Sequence, residues 1–145
     1  MAKRVKRTLT NWENVPENID DWYGFLYVIT NLKTGQKYIG RKNFHSYTKV
    51  KVPGKKRRKS VVKESDWQKY KSSSPYIKEQ IKLIGEENLR FEILKTFKSR
   101  SGLYYSEVEA QIKNEVLSKK LPNGEYEYYN DNVLNRYYRS RMTFD

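Results

Sequence analysis

The sequence predicts a small α+β domain: an antiparallel hairpin and a third strand, flanked by helices, in one small antiparallel sheet. Three observations carry this expectation. β-Branched and aromatic residues dominate 25–30, and Lys37-Tyr38-Ile39-Gly40-Arg41-Lys42 resumes as a strand after an Asn-Leu-Lys-Thr-Gly-Gln turn. Ile77, Ile81 and Ile84 recur at helical spacing behind the start signal Ser74-Pro75. Phe91 and Ile93 share one face of 89–97, the pattern of a half-buried strand. At 145 residues the chain suits one domain around a single core.

Residues 1–21 read as a basic N-terminal arm, opened by Lys3, Arg4, Lys6 and Arg7 and lacking strand or helix periodicity. Such an arm suits either a phosphate backbone or a solvated terminus. The domain proper is expected over 22–132, beginning with the hairpin, where Gly35 suits a positive φ in the turn. Residues 43–64 read as an exposed basic loop, broken at Pro53-Gly54. A first helix runs to a stop at Gly85, and 89–97 is the third strand. A second helix is expected over 102–118, with the apolar stripe Tyr104, Val108, Ile112 and Val116. After the Pro122-Asn123-Gly124 turn, 126–129 reads as a short strand. The segment 133–145, rich in arginine and tyrosine, reads as a final helix.

Charge points to the partner. Lys and Arg number 30 against 17 Asp and Glu, a formal charge of +13. Lysines and arginines neutralise phosphates and release condensed counterions, so a nucleic acid is the natural ligand. The 13 tyrosines suit both a core short of Leu and Phe and a surface that meets bases or phosphates. Cysteine is absent, which excludes disulfides and thiolate metal sites. No apolar run approaches the roughly 18 residues that span a bilayer. A cytoplasmic protein with no membrane contact is expected.

Phe25-Leu26-Tyr27 followed by Tyr38-Ile39-Gly40 resembles the paired signature of the GIY-YIG nuclease family, with Tyr27 and Tyr38 eleven positions apart. Further features follow in family order: Ser73-Ser74-Pro75 opening a helix, Phe91-Glu92-Ile93-Leu94 as the third strand, an acid-bearing helix, and Tyr129-Asn130. The resemblance covers 22–132, and the Tyr38-Ile39-Gly40-Arg41-Lys42 and Glu64-Ser65-Asp66-Trp67 segments are similar to Seg-type phage homing endonucleases. Two departures stand out. Phe25 occupies the place of the first triad's glycine, with Gly24 one position earlier. The basic loop stands where the family carries a helical arginine.

The resemblance implies a metal-dependent endonuclease acting on double-stranded DNA in a bacterial host's cytosol, with Mg2+ or Mn2+ as cofactor. Phosphodiester hydrolysis needs an activated water, neutralised phosphoryl oxygens and a stabilised leaving oxygen. The implied roles are Glu107 as metal ligand, Tyr27 as base with Tyr38 beside it, and Asn130 orienting groups near the metal or capping a turn. Glu109 rivals Glu107, since both flank the apolar stripe by about 100°. Lys42 and Arg41 are the candidate phosphate cations, Lys42 ahead because strand alternation puts it on the face of Tyr38. Lys55, Lys56, Arg57, Arg58, Lys59 and His45 are the expected DNA contacts, although a lone histidine in a basic loop, as His45 is, is more often incidental. Specificity would come from loops, the C-terminal segment, a protein partner or a homo-oligomer. A catalytically inactive DNA-binding module on the same fold, or a basic RNA-binding protein, are the rival functions.

Overall fold

The computed structural model describes residues 10–143. Lys3, Arg4, Lys6 and Arg7 of the expected arm lie outside them. In chain order run β1 (Trp12–Glu13), β2 (Gly24–Asn31), β3 (Lys37–Asn43), β4 (His45–Val50), β5 (Lys59–Glu64), α1 (Pro75–Ile84), β6 (Leu89–Phe97), α2 (Arg100–Lys113), β7 (Asn132–Val133) and β8 (Tyr137–Tyr138). The main sheet has the order β1-β6-β2-β3. β2 pairs antiparallel with both β3 and β6, as the sequence predicts, and β1 adds a parallel edge through Trp12 opposite Phe91. The α+β fold is therefore the expected one, with a mixed rather than purely antiparallel sheet.

Alternation along β2 divides the core. Phe25, Tyr27 and Ile29 point to one face and join Trp12, Phe44, Trp67, Phe91 and Ile77 of α1. Leu26 points to the other and joins Ile39, Leu103 of α2, Val116 and Leu117. Trp12 meets Phe25 and Phe91 edge-on, with centroids 5.2 and 5.4 Å apart. Such pairs add about 0.5–1.5 kcal/mol each beyond their buried area. The Trp12 indole also donates to Trp67 O at 3.0 Å and Tyr70 O at 3.1 Å, anchoring the segment that leads into α1.

Several expectations change. Within the segment read as an arm, Trp12, Val15 and Ile19 are buried in the core. The strand that Trp12 begins is two residues long and pairs with β6, far along the chain, so no local period announces it. The expected loop 43–64 contains the antiparallel ribbon β4–β5, with Tyr47 opposite Val62 and Val50 opposite Lys59. Only its connection, around Pro53-Gly54, is irregular. α2 ends at Lys113 instead of 118, because Glu115 takes a positive φ of 51° and turns the chain. Residues 126–129 do not form a strand; they touch β3 through an isolated parallel bridge between Lys37 and Tyr128. The expected C-terminal helix is instead the hairpin β7–β8 followed by a 3-10 turn at Arg139–Arg141. Leu134 and Asn135, with φ of 61° and 50°, make the tight reversal that a helix would forbid. Arg139 fixes this tail by donating to the carbonyls of Val116, Leu117 and Tyr128 at 2.7–3.0 Å.

Candidate active site at the edge of β3

The outer side of β3 borders a cleft of ≈ 690 Å³ lined by residues from both sheet faces, among them Tyr27, Tyr38, Arg41, Lys42, Tyr70 and Glu107. Tyr27 lies opposite Gly40 on β3, and a bulge beside Leu26 and Tyr27 shifts its register against β6. Bulges re-aim side chains. Here the phenol passes over Gly40, whose missing side chain makes the room: a β-carbon there would meet the Tyr27 hydroxyl at 2.5 Å and Tyr38 at 3.0 Å. The Tyr27 hydroxyl donates to Ser72 Oγ at 3.3 Å and lies 3.4 Å from the Tyr70 hydroxyl. Burial, reinforced by Tyr70 and Tyr38, holds its pKa well above the ordinary tyrosine value. Tyr38 is pushed up to about 12, by burial first and then by the fields of Tyr70 and Glu107. Both are neutral hydroxyls at physiological pH.

Ser72, Ser73 and Ser74 form the wall behind these tyrosines. Ser74 caps α1 by accepting from Ile77 N, and Pro75 follows at the first helical position, as the sequence predicts. Ser72 adopts a φ of 92° and accepts from Ser74 N at 3.1 Å, which holds its hydroxyl under Tyr27. Tyr70 accepts from Ser73 N at 3.1 Å. Neither Ser72 nor Tyr70 is singled out by the sequence. Their placement depends on the Trp12 anchor and on a positive φ that no motif signals.

On the opposite side, α2 presents Leu103, Glu107 and Gln111 to the sheet at successive four-residue steps. The expected stripe is thus rotated in part: Tyr104 and Val108 pack against the core and Val116 is buried, but Ile112 is 63% exposed, whereas Leu103 and Gln111 are buried. That rotation separates the two candidate glutamates. Glu107 lines the cleft with its side chain 19% exposed, while Glu109 is 46% exposed and 4.0 Å from Lys113. Arg41 Nε lies 3.2 Å from Glu107 Oε1, with its guanidinium stacked 3.7 Å from the Tyr104 ring centroid. The contact is ionic, not a directed hydrogen bond, because the buried Nε lacks a hydrogen-bond partner among the described residues. Burial raises the Glu107 carboxyl above its usual value, and Arg41 opposes that only in part.

Residues 8–133 match the family model described as "Putative endonuclease segE, GIY-YIG domain". The chain belongs to this family. No curated protein and no solved structure gives a match.

In this SegE-type GIY-YIG domain the remaining candidates have distinct surroundings. Lys42 Nζ bonds Asp66 Oδ1 at 2.6 Å and sits 4.3 Å from the Tyr70 ring centroid, on the tyrosine side of the sheet. Its ammonium lowers the pKa of Asp66. Arg41 is on the Glu107 side, so the two cations flank the cleft from opposite faces. Asn130 spends its whole amide on Ile39 of the edge strand, accepting from Ile39 N at 3.0 Å and donating to Ile39 O at 2.8 Å. It continues the sheet with a side chain on the wall of the cleft and does not cap a turn. Gln111, the residue one turn after Glu107 that the family resemblance expects to pack inward, is buried and donates to the same carbonyl at 3.2 Å. His45 is at the rim, 3.0 Å from Asp20 Oδ1. Lys55, Lys56, Arg57, Arg58 and Lys59 are exposed at the far end of the β4–β5 ribbon, outside the cleft lining.

Two carboxylates line the cleft. Asp131 is already engaged, accepting from Tyr76 Oη at 3.1 Å and Asn132 Nδ2 at 2.8 Å. Among the described residues no cluster of three or more His, Cys, Asp or Glu could form a closed metal cage. Glu107 alone fits a hard divalent cation that keeps most of its water shell, the coordination magnesium prefers.

Proposed function

We propose that this protein is a magnesium-dependent endonuclease that hydrolyses phosphodiester bonds in double-stranded DNA. The observation that supports it most is the half-buried Glu107–Arg41 pair facing Tyr27 and Tyr38 across one cleft. A carboxylate, a guanidinium and two phenols lining one open cleft match the needs of phosphoryl transfer to water. Glu107 would hold Mg2+ or Mn2+, and the bound ion would supply charge stabilisation at the leaving oxygen. With Glu107 so engaged, Arg41 loses its ionic partner and its guanidinium becomes free for a phosphoryl oxygen. Lys42 offers a second cation on the tyrosine side. The neutral hydroxyls of Tyr27 and Tyr38 orient the attacking water, with the Tyr27 phenol held in place by its hydrogen bond to Ser72 Oγ. Asn130 and Gln111 position β3 through Ile39 and so keep the cleft in register.

The exposed lysines and arginines of the ribbon supply the polyanion affinity that a +13 chain carries. One such cleft cuts one strand at a time, so a double-strand break requires a second copy or a second encounter. The Seg-type affiliation supports a phage origin and action in a bacterial cytosol; among the described residues no helix is long and apolar enough to cross a membrane.

The test is supercoiled plasmid incubated with the protein in magnesium, manganese or chelator. Nicked or linear product with either metal and none with chelator is expected. A gel shift without cutting in either metal would leave an inactive DNA-binding module.

A further inference from the structure

Residues 46–63 hold eight lysines and arginines and no acid. They form the outer part of the β4–β5 ribbon and its connection. A ribbon decorated only to stay soluble and discourage edge pairing would mix both signs. This one carries a single sign, and it leaves Val62 (58% exposed) open and one face of Tyr47 (54% exposed) free, the other stacking on Tyr23 at 5.7 Å between centroids. An isolated two-stranded hairpin is marginal in water. Beyond its own pairing, the ribbon meets the body chiefly at its base.

That base is rigid. Phe44, the residue between β3 and β4, is fully buried, with ring centroids 4.9 Å from Phe25 and 5.1 Å from Trp67. Its N–H donates to Tyr23 O at 3.0 Å and its carbonyl accepts from Ser65 N at 2.8 Å. The ribbon therefore leaves the same strand that carries Tyr38, Gly40 and Arg41, on a fixed mount. Six residues of strand reach about 20 Å from the cleft rim.

We propose that this ribbon lies in the major groove of duplex DNA and sets the distance between the bases it touches and the bond that is cut. The proposal rests on the DNA-cutting reading above. Two strands about 4.8 Å apart with their side chains fill a groove about 12 Å wide, whereas the minor groove, about 6 Å wide, is too narrow. The lysines take flanking phosphates as point charges. Arg57 and Arg58 at the tip offer the forked donors that match guanine O6 and N7, and Tyr47, Val50 and Val62 offer apolar contacts to thymine methyls.

The experiment is dimethyl sulfate probing of an end-labelled duplex, in chelator so that the DNA stays intact. It compares wild type, the double variant Arg57→Ala/Arg58→Ala, and a chain in which residues 48–61 are replaced by Asn-Gly. The last keeps the Tyr47–Val62 pair and the buried base, and circular dichroism reports whether it is folded. Wild type is expected to protect guanine N7 in the major groove and leave adenine N3 in the minor groove reactive. The shortened ribbon should lose N7 protection, bind at least about tenfold more weakly near physiological salt, and show a log K versus log salt slope shallower by about 3. With magnesium it should still nick plasmid, at sites no longer matching those of wild type. Adenine N3 protection by wild type, or equal N7 protection by all three proteins, overturns the proposal. Loss of N7 protection by the variants while wild type never cuts in any metal would sink the nuclease reading and leave the groove assignment standing as a binding mode. Failure of wild type to bind duplex at all overturns both.

Discussion

The hydroxyl of Tyr27 lies over Gly40 of the neighbouring strand, so close that a β-carbon at position 40 would sit 2.5 Å from it. The two residues are directly opposed in the β2–β3 register. The glycine of the second triad is thus explained by the tyrosine of the first. Gly40→Ala is expected to displace the phenol, to destabilise the fold by about 1–3 kcal/mol in urea titration, and to depress cleavage. Adding Tyr27→Phe should recover part of the stability but none of the activity, since it removes the nearer clash and leaves the ring carbon at 2.7 Å. Strict additivity of the two substitutions would mean that the residues are not in contact.

A second expectation concerns Asn130, whose amide serves both backbone groups of Ile39. Asn130→Ala strands the buried Ile39 N–H, while Gln111 still serves the carbonyl. The cost expected from chemical denaturation is about 1–3 kcal/mol, the desolvation penalty of one unpaired buried donor. A change below the error of the titration would show that β3 does not depend on this clamp.

Glu107 is predicted to trade stability for function. Burial raises its pKa more than Arg41 lowers it. A carboxyl with a raised folded-state pKa contributes stability that is fully present below its unfolded value and is lost as pH rises through the folded value. In chelator near neutral pH, Glu107→Gln should therefore melt above wild type, and at about pH 3, below the unfolded value, the two should coincide. A variant that melts lower at neutral pH would mean that the Arg41 pairing outweighs the desolvation.

The tyrosines act at the alkaline end. Tyr38, pushed up to about 12, and Tyr27, raised well above the ordinary value, hold their protons longer when folded. The unfolded chain deprotonates first, so stability falls from about pH 10 upward, each such group adding a slope of at most about 1.4 kcal/mol per pH unit. Tyr38→Phe should flatten the melting temperature between about pH 10 and 12. If a phenolate of Tyr27 is the base, the logarithm of the single-turnover rate should climb with pH without a plateau below about pH 10. Loss of that climb in Tyr27→Phe would tie it to this residue.

What the sequence reveals is what local chemistry controls. The β2–β3 hairpin, the Ser74-Pro75 helix start and β6 are readable because periodicity, capping and turn residues agree. The β4–β5 ribbon is masked: its Lys and Arg residues dilute the signal of Tyr47, Val50, Val61 and Val62, and Pro53-Gly54 suggests a loop instead of a turn. The Trp12 strand and the Arg139 clamp depend on partners distant in sequence. In α2 the inward face also carries Leu103, Glu107 and Gln111, two of them polar residues that serve the cleft, so the apolar stripe places Tyr104, Val108 and Val116 correctly but misplaces Ile112. For the same reason the choice between Glu107 and Glu109 needed the structure. Local pattern names the candidates, and tertiary placement sorts them.

The most direct test of the central claim is single-turnover cleavage by wild type and Glu107→Gln, measured in magnesium alongside duplex affinity in chelator. The account predicts that the variant binds DNA at least as tightly as wild type, having lost a negative charge in the cleft, and cuts it at least about 100-fold more slowly. Cleavage by Glu107→Gln at the wild-type rate, with the same metal dependence, would contradict it and move the metal site elsewhere.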